Sequence, residues 1–237
     1  MKTVTYLFFS LYFISLSSAQ QLTPATPQDY LVSVKNILKT KFPNNKTINL
    51  VFHGHSVPSG YWANSEVHTL QSYPYLLLKR LKEQYPYAVI NIILTSIGGE
   101  WSTKGEKRFI TDVLPHKPDV VFIDYALNDL GIGLRQSKVA WASMIEAAQA
   151  KGIKVILLTP SPDQRQAIAD AKSPLSQHAQ QIRNLAREYQ VGLADPYQRF
   201  VQIVNEQGGI RNYMSHINHP NEKGHALIAD ELFKWFQ

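Results

Sequence analysis

Five short apolar runs, each followed by a stretch of helical periodicity, constrain this chain more than any single residue does. Residues 48–52, 88–94, 120–125, 154–158 and 191–194 are rich in β-branched and aliphatic side chains, at lengths suited to buried strands. Apolar residues recur at helical spacing over 29–40, 70–85, 103–114, 136–150, about 174–189 and 222–236, which predicts helices there. Strands that are apolar on both faces and alternate with helices form a parallel sheet covered on both sides. The expected fold is therefore a single three-layer α/β/α domain, doubly wound. No internal repeat, linker or shift of composition marks a second one.

A chain of 237 residues with 44% hydrophobic content is long enough for a substantial core in one or at most two compact domains. It has no Cys, which excludes disulfides, zinc-thiolate sites and thiol nucleophiles. The first 19 residues carry Lys2 as their only charge, then an apolar stretch from Tyr6 to Leu16 and small residues at Ser17 and Ala19. That is the pattern of a cleavable signal peptide, so the expected division is 1–19 signal and 20–237 mature domain, with the protein secreted or periplasmic. The apolar run is short for a membrane anchor and contains Ser10 and Ser15. The formal charge is +6, and loss of Lys2 with the signal leaves +5. Basic residues are scattered at spacings of solvated helix faces, which argues against a nucleic-acid partner.

Doubly wound sheets collect their sites at the carboxyl ends of the strands. Gly54-His55-Ser56, Gly98-Gly99, Asn128-Asp129 and the 160–163 loop all fall there. Ser56 follows a Gly that permits a sharp turn and precedes Pro58, which opposes continuation into regular helix. Gly99 offers a backbone N–H without a side chain to block approach, and the Asn128 amide donates without a titrating charge. His219 sits on a loop stiffened by Pro220, ahead of Asn221 as a helix cap. A hydroxyl, oxyanion donors and an imidazole are the parts of an acyl-transfer site. Each of these residues also has an ordinary use as a turn residue or a cap.

In that order and at those positions, the residues resemble the SGNH (GDSL-type) hydrolase family over nearly all of the mature chain. The resemblance rests on Gly54-His55-Ser56, on Ser96, Ile97 and Gly99, on Ala126-Leu127-Asn128-Asp129, and on His219-Pro220-Asn221 with Gly224-His225. It implies a flavodoxin-like five-stranded parallel sheet in the order 2-1-3-4-5. It also implies Ser56 as nucleophile, His219 as base, and an oxyanion hole made by the Ser56 and Gly99 amides with the Asn128 side chain. No cofactor is expected. Three positions depart from the family pattern: His55 stands where an Asp is usual, Ala126 where a Gly is usual, and His216 where the triad acid normally lies, three residues before the base.

A histidine at 216 cannot stabilise the imidazolium that forms at His219. The expected arrangement is a Ser-His dyad whose ring is held by a backbone carbonyl, and Asp129 and Asp163 are the candidates for an acid recruited from elsewhere. Trp62, Trp101 and Glu100 are candidates for substrate binding, alongside Tyr61 and Tyr125 near the same blocks. The expected activity is an exported serine esterase acting on a small acyl ester, with an acetylated carbohydrate as the candidate substrate. Two other readings stand beside it. One is a carbohydrate-binding member of the fold that has lost catalysis; the other is a metal-dependent hydrolase using His53, His55, His216 and His219.

Overall fold

The computed structural model describes residues 25–237, so the signal segment expected over 1–19 lies outside the described residues. The chain runs α1 (Val32–Lys39), β1 (Thr47–Gly54), α2 (Ser56–Ser59), α3 (Tyr73–Gln84), β2 (Val89–Leu94), α4 (Ser102–Arg108), β3 (Val120–Asp124), α5 (Gly133–Gln149), β4 (Lys154–Leu158), α6 (Pro174–Glu188), β5 (Gly192–Ala194), α7 (Pro196–Gln207) and α8 (Glu222–Phe233). All five strands are parallel, in the order β2-β1-β3-β4-β5. No helix among the described residues is long and apolar enough to cross a membrane.

Alternating side chains of the central strands serve two cores, because successive residues of a strand point to opposite faces. Leu50, Phe52, Phe122 and Ile156 pack with residues of α1, α3, α7 and α8. Val51, Val121, Ile123, Val155 and Leu157 pack with residues of α5 and α6. Phe52 and Phe122 stack with ring centroids 4.3 Å apart, which ties β1 to β3 one turn of pleat before the site. These side chains are fully buried, and each stabilises the fold by about 1.5–3 kcal/mol.

Strand β2 departs from the expectation of strands buried on both faces. It lies at the edge of the sheet, and Val89 is 45% exposed. The helix expected over 103–114 is regular only as far as Arg108, then passes into a π-helical stretch at Phe109–Val113 and a 3-10 turn at Leu114–His116. Pro115 and the β-branched Ile110, Thr111 and Val113 explain why regular helix fails there. Helix α7 was not expected, although Asp195 caps it by accepting from the Gln198 N–H and Gly208 ends it in a left-handed conformation. Its apolar face of Tyr197, Phe200 and Ile203 is buried.

Register places the site. Phe52 is level with Leu94 and Phe122, and Gly54 with Asp124. The loops leaving β1, β2 and β3 therefore emerge side by side at one edge of the sheet.

Candidate active site

The turn that carries Ser56 is fixed by its neighbours on both sides. A Cβ at Gly54 would lie 2.5 Å from the Asp124 carbonyl oxygen, so only glycine lets β1 end so close to β3. His55 N–H donates to that same carbonyl at 3.3 Å. Ser56 then opens the single helical turn α2; Pro58 fits within it because the first turn's N–H groups have no helical partner. The left-handed Gly60 (φ 85°) ends the turn.

Ser56 is 8% exposed, and its hydroxyl meets His219 Nε2 at 2.8 Å. The two residues are 163 positions apart in sequence, so tertiary structure alone makes the pair. His219 is held through its backbone: its carbonyl accepts from the Ser215 N–H at 2.9 Å, the His216 N–H at 3.2 Å and the Ser215 hydroxyl at 3.1 Å. Burial, with the neighbouring His55 and His216, lowers its pKa to about 4. The ring is thus neutral at pH 7 and able to accept a proton.

The backbone carbonyl expected at the far nitrogen is not among the contacts: no group hydrogen-bonds His219 Nδ1 among the described residues. Nor does a carboxylate reach it; of the described histidines, only His55 and His68 stand within 4.0 Å of one. Both candidate acids are committed elsewhere. Asp129 is fully buried, with Oδ1 accepting from the Ser102 N–H at 2.8 Å and Oδ2 from the Trp141 indole N–H at 2.7 Å. Burial raises its pKa against those hydrogen bonds. Asp163 accepts from the Arg165 backbone N–H at 2.9 Å and from its guanidinium at 2.5–3.2 Å. Burial acts to raise the Asp163 pKa, but these bonds outweigh it and leave the group lowered.

The glycine and asparagine blocks form one clamped unit beside Ser56. Ile97 N–H donates to the Gly54 carbonyl at 3.0 Å, and Glu100 N–H closes a turn onto the Ile97 carbonyl at 3.2 Å. Gly99 occupies that turn at φ 74° with nothing within 4 Å of where a Cβ would lie, a conformation that favours glycine for its backbone and not for lack of room. Asn128 Nδ2 donates to the Glu100 carbonyl at 2.8 Å, which uses one amide hydrogen and leaves the second. Together, Asn128 and Asp129 hold the 100–102 segment at its two ends.

The Glu100 side chain turns inward. It is 6% exposed, accepts from the Tyr125 hydroxyl at 2.7 Å and pairs with the Arg108 guanidinium through Nε and Nη2. It is therefore a strut beneath the loop and not a free group at its surface. Tyr125 lies in the same network and also meets His53 Nε2 at 3.2 Å; burial, then the Glu100 contact, push its pKa upward. His53 is occupied at both nitrogens, by the Thr95 hydroxyl at 2.9 Å and the Gly105 carbonyl at 3.1 Å. His55 Nδ1 accepts from the Val57 N–H at 3.2 Å. No group of three or more His, Cys, Asp or Glu among the described residues is arranged to hold a metal ion.

Sequence reasoning missed Asp124. It is 3% exposed at the end of β3, 3.4 Å from His55 Nε2, and accepts from the Tyr73 hydroxyl at 3.0 Å. Val57 N–H donates to His55 Nδ1, so Nε2 is the nitrogen turned toward Asp124, without a hydrogen bond between the two. A carboxylate thus stands on the neighbouring strand beside the histidine that replaces the family's usual Asp. A lone Asp closing the run Val120-Val121-Phe122-Ile123 was the available signal. Of the candidate aromatics, Trp62 stacks on His68 with centroids 3.8 Å apart, and Trp101 lies under the Lys104 ammonium at 4.4 Å. Tyr61 stands beside Gly98, with ring atoms about 3.3–3.6 Å from where a Cβ there would lie.

The model of the GDSL-like lipase/acylhydrolase family matches residues 52–227, a span holding every residue named above as nucleophile, base or oxyanion donor. No curated protein matches. Among solved structures, an acetyl xylan esterase superposes with TM-score 0.65 at 22% identity, over 78% of this chain and 98% of that one. A two-domain esterase active on acetylated mannans gives 0.71 at 21%, over 87% of this chain and 52% of that one. An acetylxylan esterase from Geobacillus stearothermophilus gives 0.68 at 20%, over 80% and 94%.

Proposed function

The chain belongs to the GDSL-like lipase/acylhydrolase family and is a hydrolase of ester bonds; on that premise we propose that it removes small acyl groups, acetyl in particular, from carbohydrate through a Ser56-His219 dyad. The observation that carries the proposal is the 2.8 Å contact between the Ser56 hydroxyl and His219 Nε2, within reach for proton transfer. Ser56 Oγ attacks the ester carbonyl while His219 takes its proton. The resulting oxyanion accepts from the Ser56 and Gly99 amides and from the free hydrogen of the Asn128 amide. As the intermediate collapses, His219 returns the proton to the leaving alcohol, and Ser56 is left acylated. Water, deprotonated by His219, then releases the acid and restores the serine.

Without a carboxylate at Nδ1, the imidazolium formed in each half-reaction lacks the stabilisation a triad provides. The chemistry should be slower than that of a full triad, and it should persist into mildly acidic solution, since His219 stays unprotonated down to about pH 4. The carbohydrate part rests on the acetyl xylan and acetylated mannan esterases that share the fold and on the aromatic side chains near the site. The sequence of residues 1–19 supports an exported enzyme. A fluorophosphonate probe tests the assignment together with acetate release from acetylated xylan. Both signals should be present in the natural protein and absent in Ser56→Ala. Absence of labelling in the natural protein would favour a binding protein that has lost catalysis.

A further inference from the structure

The loops that carry Ser56 and His219 enclose a second feature, a cleft of about 660 Å³ whose lining includes Trp62, Asn64, Asn212, Ser215, Glu222 and Lys223. One wall grows out of the nucleophile turn: Tyr61 N–H donates to the Ser56 carbonyl at 3.3 Å, and Trp62 N–H to the Glu66 carbonyl at 2.9 Å. The other wall is the base loop, where Met214 pairs with Pro220 and Ser215 N–H holds the His219 carbonyl. An occupant of this cleft would lie alongside the reacting ester, on the side of the leaving alcohol or of the acyl group. The volume falls within the range of small-molecule sites.

Its chemistry distinguishes those two possibilities. Trp62 is only partly buried, and His68 packs on it at an interplanar angle of 17°, while His68 Nε2 is itself bonded to Glu66 at 2.8 Å. The indole is therefore a stiffened platform. Around it, the side chains of Asn212, Glu222 and Lys223 have no hydrogen bond or ion pair among the described residues. One flat apolar face ringed by unpaired amide, carboxylate and ammonium groups, with the two charges cancelling, suits a neutral polyhydroxylated ring and not a hydrocarbon chain.

We infer that the Trp62 cleft is a subsite for a neutral pyranose residue of the substrate chain, next to the residue that bears the scissile ester. The inference rests on the carbohydrate-ester reading above and extends it from the reacting group to the sugar chain.

Acetylated xylotetraose and 4-nitrophenyl acetate separate the two, because only the first reaches beyond the reacting ester. In Trp62→Ala, kcat/KM for the tetrasaccharide should fall roughly five- to tenfold more than for the aryl acetate, as expected for loss of one aromatic stack. Asn212→Ala removes a side chain without a partner in the protein and should show a selective loss of the same kind, with an unchanged melting temperature. Equal losses on both substrates, or no loss in either variant, would overturn the subsite. Calorimetric binding of unacetylated xylotetraose to Ser56→Ala gives an answer that does not need turnover. Binding that Trp62→Ala abolishes supports the subsite even if ester hydrolysis fails, and absence of binding overturns it even if hydrolysis succeeds.

Discussion

Replacing His216 by Asp would place a carboxylate where the family's triad acid normally lies. The rings of His216 and His219 are 6.4 Å apart. A unit negative charge at that separation stabilises an imidazolium by about 2.6 kcal/mol at an effective dielectric constant near 20, and by about 0.6 kcal/mol at the value for bulk water. His216 is exposed, so solvent screening places the effect between those limits. The His219 pKa, now lowered to about 4, should rise by about half a unit to two units. The sign follows from the new carboxylate favouring the protonated ring. The acid limb of kcat/KM, which reports the free enzyme, should move up to roughly pH 4.5–6 and move back as salt is added. If the carboxylate also accepts a hydrogen bond from Nδ1–H, kcat at pH 7 should rise about tenfold, a small part of the roughly 10⁴-fold associated with a triad Asp. His216→Asn is the control, since it removes the ring without adding charge. An acid limb that stays in place in a folded His216→Asp protein, or that moves equally in His216→Asn, would refute the reasoning.

Asn128→Ala should lower kcat by about 10²–10³ with little change in KM, as loss of one oxyanion donor predicts; steady-state kinetics on an aryl acetate provide the check, and a loss confined to KM would contradict it. Asp129→Ala leaves the Ser102 N–H and the Trp141 indole N–H buried without their acceptor, at about 1–3 kcal/mol each, so urea unfolding should show a loss of several kcal/mol. A loss below about 0.5 kcal/mol would mean that the clamp on the 100–102 segment is not holding. Stability should fall on acidification. Burial pushes the pKa of His53 down to about 4 and that of His225 down to about 3. Below pH 6.5 the unfolded chain therefore binds protons that the folded chain does not, and each histidine withdraws about 2 kcal/mol between pH 7 and pH 5. Urea midpoints that are flat over that interval would count against these buried, neutral rings.

Local patterning determined most of the architecture. The apolar runs at 120–125 and 154–158 could only be strands buried on both faces, and the helical periodicity between them required crossover connections, which makes the sheet parallel. Ser56, Gly99, Asn128 and His219 were legible because each lies just past a strand or ahead of a helix, where glycine, proline and capping residues leave a local signature. Helix α7 is legible too, from Asp195-Pro196 at its start and Gly208 at its end.

Only the tertiary structure decided how the polar side chains pair. Asp129 and Glu100 were plausible site groups by position, yet one is tied to Ser102 and Trp141 and the other to Arg108 and Tyr125. The approach of Asp124 to His55 required β1 and β3 to lie in register. The reason is physical: backbone preference and hydrophobic period act over a few neighbouring residues and are written in local order. A buried carboxylate takes whichever donor the packing of distant segments brings within about 3 Å, and no spacing along the chain encodes that distance.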